Sequence, residues 1–123
     1  MMFDGRDPIY LQIADQVRRD VLSGAIREGE QVMSTTQYAT TYRINPATAA
    51  KAFAILVDEG VLYKQRGVGM FVAAGAAEQL RREHRADYFK AVLQPALDQA
   101  VALGITPDEI VEHIRSAAEG ARS

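Results

Sequence analysis

Residues 41–60 read TYRINPATAAKAFAILVDEG. They begin and end as a helix does. Asn45 is a good N-cap, and Pro46 stands at the first helical position, where its missing N–H costs nothing. Gly60 suits the left-handed residue that closes a helix. Between these ends Ala52, Phe53, Leu56 and Val57 make one apolar stripe. The opposite face near the start carries Ala47, Thr48, Ala50 and Lys51. A helix start so low, smooth and slightly basic is shaped to lie close against another surface.

Working outward, residues 8–23 (PIYLQIADQVRRDVLS) predict a helix, with Ile9, Ile13, Val17 and Val21 four apart. Asp7 is its expected cap, Pro8 its first residue, and Gly24 its end. A turn through Gly29 leads to a very short strand at Gln31–Met33. Ser34 then caps a second helix, STTQYATTY, with Gln37 three residues on in a capping-box arrangement. Tyr38 and Ala39 are expected to face its core. After Gly60 the stretch VLYKQRGVGMFVA alternates around a glycine-rich centre and predicts a β-hairpin. Two helices joined by a tight turn, then a hairpin, make a winged helix-turn-helix. Residues 74–77 (AGAA) read as a hinge. A long helix from about Ala76 to Ala102 follows, with a kink expected at Pro95. Gly104 ends it, and a final helix over about 107–119 starts at the capping box Thr106–Glu109. The fold class expected is mostly α with a small β-hairpin. An N-terminal winged helix-turn-helix domain (1–73) and the hinge (74–77) precede a C-terminal two-helix dimerisation tail (78–123).

The totals limit the function. A chain of 123 residues makes one domain, or a small domain with an appendage. The absence of cysteine excludes disulfides, thiolate metal sites and a cysteine nucleophile. No apolar run approaches the roughly 18 residues of a membrane span. The start, MMFDGRDPIY, has no basic region followed by a long apolar stretch, so neither a signal peptide nor a membrane partner is expected, and the location expected is cytoplasmic. No triad, phosphate loop or acid pair points to catalysis. His84 and His113 lie near Glu83, Asp87 and Glu112 in sequence, but no metal site or cofactor is expected from them. Net charge is −2 overall. Residues 42–72, however, hold Arg43, Lys51, Lys64 and Arg66 against Asp58 and Glu59 alone, and both acids stand at the far end of their helix.

Those features fit a DNA major groove, which admits an α-helix whose first turn comes close to bases and phosphates. Thr48 can meet a phosphate or a thymine methyl, and Lys51 a phosphate or a guanine edge. Helix starts at Ser34, Thr35 and Thr36, and at Asn45 and Pro46, offer free N–H groups to phosphate. The hairpin adds Lys64, Gln65 and Arg66, with Gly67 and Gly69 letting backbone approach a groove wall. Each residue alone has a plain structural use as a cap or a turn; their order carries the reading. A protein–protein adaptor is the alternative, and it would present apolar or acidic side chains on the helix at 46–58.

These motifs together resemble a known family. P-I-Y-x-Q-I at 8–13, G-E at 29–30, Ser34, I-N-P-A-T at 44–48, K-A-F at 51–53, L-V-D-E-G at 56–60 and Q-R-G-V-G-M-F-V at 65–72 look like the GntR family of bacterial transcription regulators. The Asn-Pro and the short tail resemble its YtrA-like subfamily. The resemblance implies a homodimer that binds a two-fold symmetric double-stranded operator and represses, its own operon and transporter genes being the expected targets. It also implies that eleven of the twelve residues named above, all but Lys64, lie at the DNA; Lys64 is added by the reading of the hairpin itself. Three positions depart from the family pattern. Met33 replaces a proline, Thr36 stands where an arginine is common, and Ala49 where a bulkier residue is common. A lost arginine–guanine contact is worth about 1–3 kcal/mol of discrimination, so an operator unlike those of typical relatives is expected.

The tail is too small to enclose a metabolite alone. Leu80, Tyr88, Phe89, Val92, Leu93, Leu97, Ile110 and Ile114 are expected to meet a second copy. Arg81, Arg82 and Arg85 read as a solvated face. A small-molecule effector, of identity the sequence leaves open, would be expected near Arg85, Tyr88 and Phe89.

Overall fold

A computed structural model describes residues 7–122. The first six residues of the expected 1–73 domain, and Ser123 of the tail, lie outside the described residues. The chain divides into two compact units, Met1–Glu83 and His84–Ser123.

In the first unit, α1 spans Ile9–Ser23 and buries Ile13, Ala14, Val17 and Val21, the stripe its four-residue spacing demands. Its start differs from expectation. Pro8 is the N-cap itself, with ψ 143°, and Asp7 gives no side-chain cap. The extended Pro8 stays outside the helix while its carbonyl accepts from the Leu11 and Gln12 N–H groups (3.0 and 3.2 Å). Gln12 Nε2 donates back to the Asp7 carbonyl at 2.7 Å.

Helix α2, Thr35–Tyr42, has the expected capping box: the Gln37 N–H donates to Ser34 Oγ (3.1 Å) and the Ser34 N–H to Gln37 Oε1 (3.3 Å). Helix α3, Pro46–Asp58, opens with Asn45 Oδ1 accepting from the Ala47 N–H at 2.8 Å. Gly60, with φ 80°, follows its last turn as expected. Ala49, Ala52, Phe53 and Leu56 of α3 are buried against α1 and α2, where the Phe53 ring meets Tyr38 edge-on at 5.4 Å. Emptying that position by Phe→Ala would cost about 3–5 kcal/mol. The far end of α3 is tied to α1 by a fork: Arg18 Nε and Nη2 donate to the two Glu59 oxygens at 2.9 and 2.7 Å.

Strands β1, Leu62–Gln65, and β2, Gly69–Val72, form the expected antiparallel hairpin, in register from Leu62↔Val72 to Gln65↔Gly69. The strand expected at Gln31–Met33 is reduced to a single bridge, Gln31↔Phe71. Neighbouring backbone still pairs there, with Val32 N–H donating to the Met70 carbonyl (2.9 Å) and Val72 N–H to the Glu30 carbonyl (3.0 Å).

Helix α4 spans Ala76–Tyr88. Ala76 and Leu80, one turn apart, are each 1% exposed and belong to the core of the first unit. The stretch 74–77 therefore runs into a helix whose first turns pack on the head, and the compact unit ends at Glu83. Leu80, expected at a dimer face, is corrected to a core residue of the head.

The second unit continues from α4 through a π-helical turn, Phe89–Leu93, into α5, Gln94–Ala102. The single kinked helix expected over 76–102 is thus interrupted ahead of Pro95. The Gln94 N–H donates to the Phe89 carbonyl, five residues back. An α-helical ladder would instead press the proline ring, which has no N–H, on the Ala91 carbonyl. Helix α6, Pro107–Arg122, outlasts its expected end at 119. Its start keeps the Thr106–Glu109 box, with bonds of 2.7 and 3.2 Å. No residue from 84 to 121 is buried.

One pH dependence follows from the head. Burial, aided by the Tyr42 and Asp20 charges, raises the Tyr38 hydroxyl above its ordinary titration. The folded chain then keeps a proton that the unfolded chain loses above about pH 10. Stability should hold below that pH and fall above it by up to about 1.4 kcal/mol per pH unit. Urea midpoints between pH 8 and 11 check this, and Tyr38→Phe should flatten the fall.

Candidate nucleic-acid interface

The exposed side of α3 is set by what the buried side needs. With Ala49, Ala52, Phe53 and Leu56 turned inward, the opening turns present exposed Ala47, Ala50 and Lys51, with Thr48 half-buried. Asn45 and Pro46 are exposed at the tip. From Pro46 to Asp58 the helix runs about 18 Å at 1.5 Å per residue. The acids Asp58 and Glu59 thus stand a full helix length from the start, and Glu59 is already engaged by Arg18. Helix α2 opens with Ser34 and Thr36 exposed and Thr35 half-buried.

The turn between α2 and α3 holds Arg43 at φ 53°, the one non-glycine residue with positive φ among those described. A side chain in that conformation costs about 1–2 kcal/mol, and glycine usually takes the place. Here the position keeps an exposed cation beside the α3 start.

The hairpin tip exposes Lys64, Gln65, Arg66 and Gly67. Gly67 turns the chain at φ 78° with open space around it. Gly69 is half-buried at φ 146° and leaves room for a neighbour, since a Cβ there would stand 2.5 Å from Gln31 Nε2. That amide donates to the Val68 carbonyl at 3.1 Å and holds the tip from behind. Tyr63 and Phe71, paired across the strands, stack at 5.6 Å.

All twelve residues expected at DNA lie in the first unit, on the openings of α2 and α3 and on the hairpin. Two participants escaped the sequence. Gln31 supports the hairpin across 37 residues of chain. The Tyr10 ring lies 4.0 Å beneath the Lys51 ammonium and gives that cation a resting place. Neither contact follows from a local pattern, since both join distant segments. Ala49 proves to be a core position, 0% exposed, so its small size sets the packing distance of α3 and contributes no contact of its own outside.

Of the tail residues, Tyr88, Phe89, Val92 and Ile114 are exposed, and Leu93, Leu97 and Ile110 half-buried. Among the described residues no group of histidine and carboxylates could hold a metal ion, and no helix is long and apolar enough to cross a membrane.

A winged helix-turn-helix with a bare, capped reading helix defines a DNA-binding head. Comparison with known proteins agrees: residues 9–72 match the family described as bacterial regulatory proteins, gntR family, and the chain belongs to it. The HTH-type transcriptional repressor YtrA of Bacillus subtilis (strain 168) is 30% identical over 108 residues, which cover 88% of this chain and 82% of YtrA. A GntR family transcriptional regulator from Listeria monocytogenes has the same fold with a TM-score of 0.71 and 27% identity, over 93% of this chain and 98% of its own. AraR(DBD), solved in complex with operator ORX1, matches 58% of this chain and 93% of its own, with a TM-score of 0.54 and 26% identity. The chain is therefore a YtrA-like transcription regulator with a DNA-binding winged helix, and not an enzyme.

The hairpin support is open to test. Gly69→Ala should lower stability by about 1–2 kcal/mol, because φ and the Gln31 amide both oppose a Cβ. Gln31→Ala alone should cost about 0.5–1 kcal/mol. Denaturant midpoints of both singles and the double should show Gly69→Ala costing less once Gln31 is shortened.

Proposed function

We propose that this chain acts in the cytoplasm as a homodimeric repressor of its own operon, with transporter genes among its targets. The observation that carries the reading is the opening of α3. It is small and capped, with exposed Arg43 before it, exposed Lys51 within it and no carboxylate before Asp58, and the hairpin adds exposed Lys64 and Arg66. An adaptor surface would need apolar or acidic side chains there. In the proposed complex α3 lies in the major groove. Thr48 and Lys51 meet bases or phosphate, Ser34, Thr35, Thr36, Asn45 and Pro46 bring helix starts to the backbone, and the hairpin from Lys64 to Gly69 follows a groove wall. Lys51 would leave Tyr10 to do so, giving up about 0.5–1 kcal/mol of cation–π attraction. The AraR operator complex and the repressor name of YtrA support this reading.

The proposed dimer rests on the tail. A unit with no buried residue between 84 and 121 has no interior of its own. A second copy would cover Tyr88, Phe89, Val92, Leu93, Leu97, Ile110 and Ile114 and set two reading helices about 34 Å apart.

Fluorescence anisotropy with DNA from upstream of its own gene, beside scrambled DNA at two salt concentrations, tests the operator. The native fragment should bind at least about a thousandfold more tightly. Lys51→Ala should reduce the slope of log affinity against log salt by about one. Equal weak binding to both fragments would remove the autorepressor reading. Sedimentation equilibrium tests the dimer: Leu97→Asp with Ile114→Asp should yield monomer and weaken operator binding, and a wild-type monomer would refute it.

A further inference from the structure

The head contains a cavity of about 190 Å³ away from the exposed face of α3. Buried Val17, Tyr38 and Phe53 make its floor, and exposed Glu30 and Met33 lie at its rim. Tyr42 adds a second phenol ring, 4.5 Å from that of Tyr38. Among the described residues its formal charge is acidic: Asp20 and Glu30 line it, and no described lysine, arginine or histidine does. Glu30 Oε2 accepts from the Arg27 backbone N–H. Half-buried Asp20 accepts from Gln16 Nε2 at 3.0 Å, and among the described residues no cation is paired with it. Burial, and after it the charges of Tyr42 and Asp20, raise the Tyr38 hydroxyl above its ordinary titration.

Carboxylate, aromatic faces and apolar walls in one small space select for a cation with an apolar body. An apolar cavity of about 150 Å³ takes benzene, so this one accommodates a single ring with a short arm. An anion would meet the carboxylates of Asp20 and Glu30, and a neutral molecule would leave Asp20 without a cation among the described residues.

We infer that this cavity is a binding site for a small organic monocation carrying one aromatic ring or a compact apolar group, its ammonium at Asp20. The walls come from α1, α2 and α3, so the occupant touches all three helices of the head. The site does not depend on the operator reading and is tested without DNA.

The test is titration of the ¹⁵N-labelled full chain with 2-phenylethylammonium, and in parallel with neutral 2-phenylethanol, followed by amide chemical shifts. Saturable shifts should centre on Val17, Asp20, Tyr38 and Tyr42, with the amine binding about tenfold more tightly than the alcohol. Asp20→Asn should weaken the amine about tenfold and leave the alcohol unchanged. Shifts that do not saturate, that centre elsewhere, or that are equal for amine and alcohol would overturn the assignment. The amine–alcohol comparison on the wild-type chain stands even if the variant folds poorly.

Discussion

Helix α3 has thirteen residues and two surfaces to satisfy. One must fill the space beside α1 and α2; the other must stay low enough to approach a foreign surface. The core solves the first with Phe53 and Leu56 for volume and with Ala49 and Ala52 for closeness, all four essentially inaccessible. Alanine on the inner face lets the helix axis sit deep, which lowers the outer face by the same amount. A larger side chain at Ala49 would lift the axis, because packed interiors do not yield without strain. Both ends are then fixed, by the Asn45 cap and by the Arg18–Glu59 fork. The fork is partly open to solvent, so it contributes position more than stability.

The tail follows the opposite logic. Among the described residues the head closes fifteen apolar side chains into one cluster, Ala76 and Leu80 of α4 included. From 84 to 121 no residue is buried, although Tyr88, Phe89, Val92, Leu103 and Ile114 are large and apolar. Helix α4 thus serves the head at its start and the open tail at its end. An amphipathic helix gains most of its stability from what covers its apolar face, and from 84 to 121 the tail buries no residue of its own.

Much of this was legible in the sequence because it is local. Ser34 with Gln37, Thr106 with Glu109 and Asn45 before Pro46 are caps whose geometry is complete within four residues. The hairpin and the inward stripe of α3 follow from short periodicities in the same way. The features that differ from expectation depend on what comes near in space. Leu80 has the same spacing as its tail neighbours, and only the fold shows that it faces the head. Pro95 announced an interruption, but the π turn resolves it one turn earlier. Of the interface, the exposed cations and glycines were readable. The Gln31 brace and the Tyr10 seat under Lys51 were not, since each joins segments about forty residues apart.

The Gln31 brace also bears on how such a protein changes over generations. The hairpin tip is held from its back, by the amide of Gln31 on the Val68 carbonyl and by the space Gly69 leaves for it. The exposed side chains of Lys64, Gln65 and Arg66 are not part of that brace, although Lys64 and Gln65 pair through their backbone in β1. Their identities can drift without unfolding the hairpin. Support of the fold and the exposed chemistry of the tip thus rest on separate side chains of one short ribbon, and single substitutions can change the second without disturbing the first.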